Sequence, residues 1–214
     1  APTPGPADTK SGTTLPTHHI HFHFDKMVTF FYLNGVDTTY SEFDFSWPDN
    51  CQCEGDMADG YYDVVIEFLP TLNPMFVFLE HFHVYKDMDT TILSAYAAEK
   101  ISLDIYDENN TRLPFYGKTA DQCGVLFEFA PGLKTRLAGI VSFGGDNRYM
   151  WMSQVPPDTK LSFGKNSLKE EHPYKRYVVS YPSVMGITGP TTFSNSPSDL
   201  RLYPHIFQGT PAVK

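Results

Sequence analysis

The stretch from Thr17 to Phe24, T-H-H-I-H-F-H-F, constrains the fold more than any other feature of this chain. Its polar and apolar residues alternate with a period of two, which is the period of side chains along a β-strand. One face would carry the apolar side chains, which are Ile20, Phe22 and Phe24. The other face would carry three histidines, which are His19, His21 and His23. The pattern therefore predicts a strand that joins the core on one side and presents imidazoles on the other.

The rest of the chain shows short strand patterns separated by turn signals. Asn34-Gly35 and the run Gly144-Gly145-Asp146-Asn147 are typical of tight hairpin turns. Ile92 to Glu99 is the one plausible short helix, and no βαβ pattern is apparent. We therefore predict an all-β fold, an antiparallel β-sandwich or jelly-roll-like arrangement of about ten strands with at most one short helix.

Composition divides the chain into three parts. Residues 1–16 are rich in Pro, Thr and Gly and lack a hydrophobic period, which predicts an extended N-terminal arm. Residues 17–181 carry the strand patterns and predict the β-sandwich domain. Residues 182–214 are rich in Pro, Gly and Ser, and we expect this C-terminal segment to pack on the domain or on a neighbouring molecule.

The start of the chain and a glycosylation pattern indicate an extracellular protein, and the charge argues against one class of partner. The formal net charge of −9, without clustered Lys and Arg, argues against nucleic acid as a partner. No apolar run approaches the roughly 20 residues of a membrane-spanning helix. The start Ala-Pro-Thr-Pro-Gly-Pro is typical of a mature end after signal-peptide removal. Asn109 begins an N-glycosylation acceptor pattern in a polar turn. We therefore expect a secreted glycoprotein.

The three cysteines, Cys51, Cys53 and Cys123, predict one disulfide if the protein is secreted. A bridge between Cys51 and Cys53 would close a very small, strained ring. We therefore expect Cys123 to pair with Cys51 or with Cys53. The spare cysteine, or the tails, could join a second copy of the chain or another extracellular protein.

The segment from Pro48 to Gly60 has the composition of an acidic loop. Oxygen ligands of this kind can hold Ca²⁺. The spacing matches no EF-hand loop, and acidic surface loops without an ion are common. The candidate calcium ligands are Asp49, Glu54, Asp56 and Asp59.

A second histidine run, at His81 and His83, repeats the alternation of the first. Residues two apart on a strand face are about 6.6 Å apart and can converge on one ion, whereas residues four apart are separated by about 13 Å. A site would therefore use His19 with His21, or His21 with His23, completed by His81 or His83 from a paired strand. Neutral imidazole suits Zn²⁺ and Cu²⁺, and the spacing does not choose between zinc and copper.

Three functional hypotheses follow. The first is a secreted protein that binds copper or zinc through the histidines. The second is a non-catalytic extracellular module, either carbohydrate-binding through Tyr61, Tyr62 and Trp151 or self-assembling, with the histidines as a pH-sensitive surface. The third is a copper or zinc metalloenzyme. No motif of the G-x-S-x-G or H-E-x-x-H type occurs, so the sequence favours metal binding over catalysis.

Overall fold

The computed structural model describes residues 15–36, 46–69, 73–113, 122–128, 137–143, 149–169 and 175–200. The prediction of an all-β chain is confirmed. The strands are β1 (Thr17–Phe24), β2 (Val28–Gly35), β3 (Ser46–Asp49), β4 (Gln52–Ala58), β5 (Gly60–Phe68), β6 (Met75–Val84), β7 (Met88–Ile92), β8 (Glu99–Asp104), β9 (Gln122–Glu128), β10 (Leu137–Phe143), β11 (Tyr149–Met152), β12 (Val155–Lys169), β13 (Lys175–Ser180), β14 (Val184–Ile187) and β15 (Thr191–Ser194).

Helical structure in the described residues amounts to two single 3-10 turns, Ser94–Tyr96 and Pro197–Asp199. The first of them occupies the segment where the sequence predicts a short helix. Neither turn has the length and apolar character that a helix needs to cross a membrane.

The described strands form three sheets. Their strand orders are β3-β4-β1-β7, β15-β8-β11-β6-β5-β2 and β10-β9-β12-β13, with β14 also paired to β12. Nine of the twelve described pairs are antiparallel and three are parallel, namely β1 with β7, β6 with β11 and β8 with β15. The four-stranded and six-stranded sheets are therefore mixed, whereas the described pairs of the third sheet are all antiparallel, as the sequence pattern predicts.

The six-stranded sheet is covered on both faces. Val64 and Ile66 of β5 belong to one buried cluster, together with Phe22 of the four-stranded sheet. Val65, between them, belongs to a second cluster, together with Phe127 of the five-stranded sheet. Because successive side chains of a strand point to opposite faces, the six-stranded sheet lies between the other two. Strands buried on both faces read as continuous apolar runs, and the sequences of β5 and β6 show this pattern.

The two faces of β1 are as predicted. Ile20 and Phe22 are fully buried, and Phe24 is nearly so. The ring of Phe22 lies 5.4 Å from the ring of Phe82 in β6. The apolar face of β1 therefore packs against the six-stranded sheet, and its histidine face points away from that sheet.

The segment predicted as an acidic loop is largely strand. Asp49 ends β3, and β4 follows after a tight turn. Cys53 and Met57 of β4 are fully buried, whereas Glu54 and Asp56 are partly or fully exposed. The carboxylates thus occupy the outer face of a strand whose other face contributes to the core.

The described part of the predicted C-terminal segment is built into the same fold. β14 pairs with β12, and β15 pairs with β8. Ile187 and Phe193 are buried in the cluster between the six-stranded and five-stranded sheets. Residues 182–200 therefore pack on their own chain, and residues 1–14 and 201–214 lie outside the described residues.

Candidate metal centre

The outer face of the four-stranded sheet collects histidines and carboxylates. His21 of β1 lies in register with Glu54 of β4 on one side and with Asp89 of β7 on the other. His19 lies in register with Asp56. Residues directly opposite one another on paired strands point to the same face of a sheet. This face therefore carries the three predicted histidines of β1 between two rows of acidic side chains.

Three of these side chains converge on one point. His21, His23 and Asp89 can each offer a ligand atom such that all three atoms lie within 4.8 Å of one another. The two imidazole centroids are 4.0 Å apart, and Nε2 of His23 lies 2.7 Å from Oδ1 of Asp89. Within the described parts of the chain, this is the group of three metal-ligating residues that the fold brings together. His21 and His23 are one of the two same-strand pairs that the sequence predicts.

The imidazole of His21 has an unsatisfied nitrogen. Its Nε2 is buried and has no hydrogen-bond partner among the described residues. A buried polar atom without a partner costs about 1–3 kcal/mol. Nε2 of His18 is in a similar position, although it lies 3.6 Å from Oδ2 of Asp59. A ligand at His21 would remove this cost.

His19 is engaged by carboxylates of β4 instead. Its Nδ1 lies 3.0 Å from Oδ1 of Asp56, and its Nε2 lies 3.7 Å from Oε2 of Glu54. The hydrogen bond to Asp56 raises the pKa of His19 above its ordinary value of 6.5, and Glu54 adds to the effect. His19 therefore stays outside the three-residue group. This agrees with the distance of about 13 Å between residues four apart on a strand, which predicts that His19 and His23 do not share one ion.

His81 and His83 form a separate group on β6. The ring of His83 stacks on Tyr61 with centroids 4.2 Å apart. The backbone N–H of His81, a residue with φ of +53°, donates to Oδ1 of Asp63. Because β6 lies in the six-stranded sheet and the β1 histidines point away from that sheet, the structure does not bring the two histidine runs together. Asp89 takes the place that the sequence assigns to His81 or His83.

The four candidate calcium ligands are not gathered into one cluster. Asp49 accepts hydrogen bonds from the backbone N–H of Cys51 and from the side chain of Gln52. Asp59 lies near His18, and the remaining two carboxylates flank His19. These contacts direct the four carboxylates to three separate places, so this geometry does not support the predicted calcium site.

The cysteines divide between two sheets. Cys51 is partly exposed and Cys53 is buried, and both are free thiols in the structure. Burial raises the pKa of the Cys53 thiol to about 12. Cys123 belongs to β9 of the five-stranded sheet, and its side chain lies outside the described residues. A disulfide that links Cys123 to Cys51 or Cys53 stays a prediction.

The remaining predicted sites are placed as follows. Asn109 is exposed in a turn whose backbone N–H groups donate to Asp107. Tyr62 is fully buried, and its hydroxyl donates to the carbonyl oxygen of Ala58, so it cannot stack on a sugar. Tyr61 is 39% exposed and Trp151 is partly buried.

Sequence reasoning missed Asp89. The signal was present, because β7 reads M-D-T-T-I and its burial alternates, with Asp89 and Thr91 on the exposed side.

Comparison with protein-family models, curated proteins and solved structures finds no match to this chain. Any functional argument therefore depends on the geometry of the site itself.

Proposed function

We propose that this protein binds a zinc or copper ion through His21, His23 and Asp89 on the outer face of the four-stranded sheet. The observation that carries the proposal is the convergence of the three ligand atoms within 4.8 Å. The unsatisfied nitrogen of His21 supports it, since an ion would supply the missing partner. The proposal keeps a predicted histidine pair of β1 and the predicted metals. It replaces the third ligand, a histidine of β6, with a carboxylate of β7.

The geometry needs little adjustment to accept an ion. A tetrahedral ion with bonds of about 2.0–2.2 Å holds its ligand atoms about 3.4 Å apart. Nε2 of His23 and Oδ1 of Asp89 are 2.7 Å apart, so an ion would separate them by roughly 0.7 Å relative to this spacing. Small side-chain rotations of two partly exposed residues can supply that movement.

The donor set narrows the choice of metal. Two imidazoles and one carboxylate suit Zn²⁺ and Cu²⁺, whereas Ca²⁺ and Mg²⁺ prefer oxygen ligands alone. The same set suits Fe²⁺ where coordination positions stay open. A binding panel should therefore contain zinc, copper and ferrous iron, with calcium as the negative control.

The direct test is calorimetric titration of chelator-treated protein with each metal. We expect one site of sub-micromolar dissociation constant for zinc or copper, which is abolished in His21→Ala and in His23→Ala. His83→Ala provides the matched control, since it removes an imidazole from a different sheet. Binding weaker than micromolar in the wild-type chain, or an equal loss in the His83→Ala variant, would contradict the proposal.

A second candidate function is a non-catalytic module whose histidines respond to mildly acid pH. Besides His19, two further histidines outside the metal group each lie near two carboxylates. The contacts are those of His18 with Asp59 (3.6 Å) and Asp87 (4.0 Å), and those of His81 with Glu80 (3.4 Å) and Asp63 (3.9 Å). A cationic imidazole attracts such carboxylates. Light scattering of the metal-free protein between about pH 5 and 8 would detect self-assembly, and a constant mass would argue against this function.

Secretion and glycosylation at Asn109 remain part of the proposal. The exposed side chain in a tight turn is accessible to modification. Intact-mass measurement of the protein from its native source, before and after glycosidase treatment, tests both points. An unmodified Asn109 in extracellular material would support secretion and contradict glycosylation at this residue.

A further inference from the structure

Glu54 lies beside the proposed metal centre without belonging to the converging group. It is directly opposite His21 in the antiparallel pair of β1 and β4, whereas Asp89 flanks His21 from β7. The Cβ atoms of directly opposite residues are about 4.5–5.5 Å apart. A glutamate at this position is long enough to bring its carboxylate over the neighbouring imidazole.

The present contact of Glu54 costs little to break. Its Oε2 lies 3.7 Å from Nε2 of His19, which is longer than a hydrogen bond, and its side chain is 39% exposed. An ion pair this exposed contributes little to stability. If Glu54 moved away, His19 would keep its 3.0 Å contact with Asp56. Glu54 can therefore leave His19 more easily than Asp56, whose contact with that imidazole is shorter.

Charge and coordination number both favour such a change. A divalent ion held by two neutral imidazoles and one carboxylate keeps a net charge of +1 and an open position. A second carboxylate neutralises the charge and completes a tetrahedral set of four protein ligands, which is typical of closed zinc sites. The oxygen of Glu54 supplies both at once.

We infer that Glu54 turns from His19 to the bound ion and supplies the fourth ligand, closing a centre formed by His21, His23, Asp89 and Glu54. This inference rests on the proposed function. A closed centre binds zinc without a coordinated water, so it holds an ion for storage or structure and does not activate a nucleophile. Glu54 thus decides between a closed site and an open one.

Cobalt is the probe for the test, because the visible spectrum of Co²⁺ reports its coordination. The wild-type chain should give the intense bands of a tetrahedral ion, and azide should leave them unchanged. Glu54→Ala opens a position, so azide should alter its spectrum. Glu54→Gln should weaken cobalt binding by about 10-fold or more. Asp56→Asn is the matched control, since it removes a neighbouring carboxylate on the same face of β4. The affinity of this variant for cobalt should differ little from that of the wild type.

The outcomes separate the two proposals. A wild-type chain that binds neither cobalt nor zinc would overturn the proposed function and this inference with it. A wild-type chain that binds cobalt, but takes up azide as readily as Glu54→Ala does, would overturn the role of Glu54 alone. Equal cobalt affinity of the wild-type and Glu54→Gln proteins would do the same. Urea unfolding of each metal-free variant checks that the fold is retained.

Discussion

Phe22 offers a test of the strand orientation on which the whole metal centre depends. Its side chain is 0% exposed and lies in the cluster between the four-stranded and six-stranded sheets. Its ring lies 5.3 Å from that of Phe31 and 5.4 Å from that of Phe82. The neighbouring residue His21 points to the opposite face and is partly exposed. The two adjacent positions should therefore respond very differently to truncation.

The expected magnitudes follow from this burial. Phe22→Ala should lower the free energy of unfolding by about 3–5 kcal/mol, since it removes a ring from a packed core. This is a large part of the roughly 5–15 kcal/mol of a typical domain, so a milder variant is needed. Phe22→Leu removes three carbons and should cost roughly 2 kcal/mol at about 0.8 kcal/mol for each. His21→Ala in metal-free protein should not lower the free energy of unfolding by more than about 0.5 kcal/mol, and it can raise it, since it removes a buried nitrogen that has no partner.

Urea unfolding of metal-free protein, followed by circular dichroism, measures all three variants against the wild type. The midpoint should fall strongly for both Phe22 variants and should not fall appreciably for His21→Ala. A large loss in His21→Ala together with a neutral Phe22→Leu would refute the reasoning. Such a result would mean that β1 is shifted by one residue, which exchanges its two faces and turns the histidines into the core.

The other predictions concern metal linkage, pH and thiol reactivity. Zinc at about 100 times its dissociation constant should raise the free energy of unfolding of the wild type by about 2.7 kcal/mol and that of Asp89→Asn by much less; an equal rise would exclude Asp89 as a ligand. Burial raises the pKa of Asp63 above 3.8, so the stability contributed by this group is full below the unfolded pKa and is lost as pH rises through the folded pKa. Asp63→Asn keeps an acceptor for the N–H of His81. As the pH rises from the unfolded pKa of Asp63 to its folded pKa, the free energy of unfolding of this variant should therefore increase relative to that of the wild type. Urea unfolding at a series of pH values measures the difference, and a relative decrease would contradict the burial argument. Iodoacetamide should modify Cys51 well before Cys53, whose pKa of about 12 leaves little thiolate; equal rates by mass spectrometry would argue that Cys53 is not buried.

Local patterns in the sequence were enough to predict the two faces of β1 and to include His21 with His23 among the two candidate pairs. The alternation from Thr17 to Phe24 gives the buried and exposed faces, because burial on one side of a strand follows period two. The spacing of His21 and His23 predicts their convergence for the same reason. The strand β4 could also have been predicted, since Cys53 and Met57 alternate with Glu54 across its two faces. The acidic composition of this segment led to the prediction of a loop instead.

The partner of the histidine pair could not be predicted in this way. Asp89 joins His21 through a parallel pairing of strands that are distant in sequence, and no local periodicity encodes which strands become neighbours. His81 and His83 repeat the motif of β1 but belong to a different sheet. Similarity of pattern indicates similar local structure, whereas proximity depends on the path of the whole chain.

The parallel pairing of β1 with β7 would also make binding of the proposed ion depend on a long-range contact. Strands β5 and β6 of the six-stranded sheet lie between β4 and β7 in the chain, so His21 and Asp89 are distant in sequence. Bringing such distant segments together costs loop-closure entropy and is slow compared with forming a local hairpin. A fragment that ends before β7 therefore lacks the centre, even with its histidines in place. The proposed ion would therefore report that β7 has paired with β1, and its uptake could not be faster than that pairing.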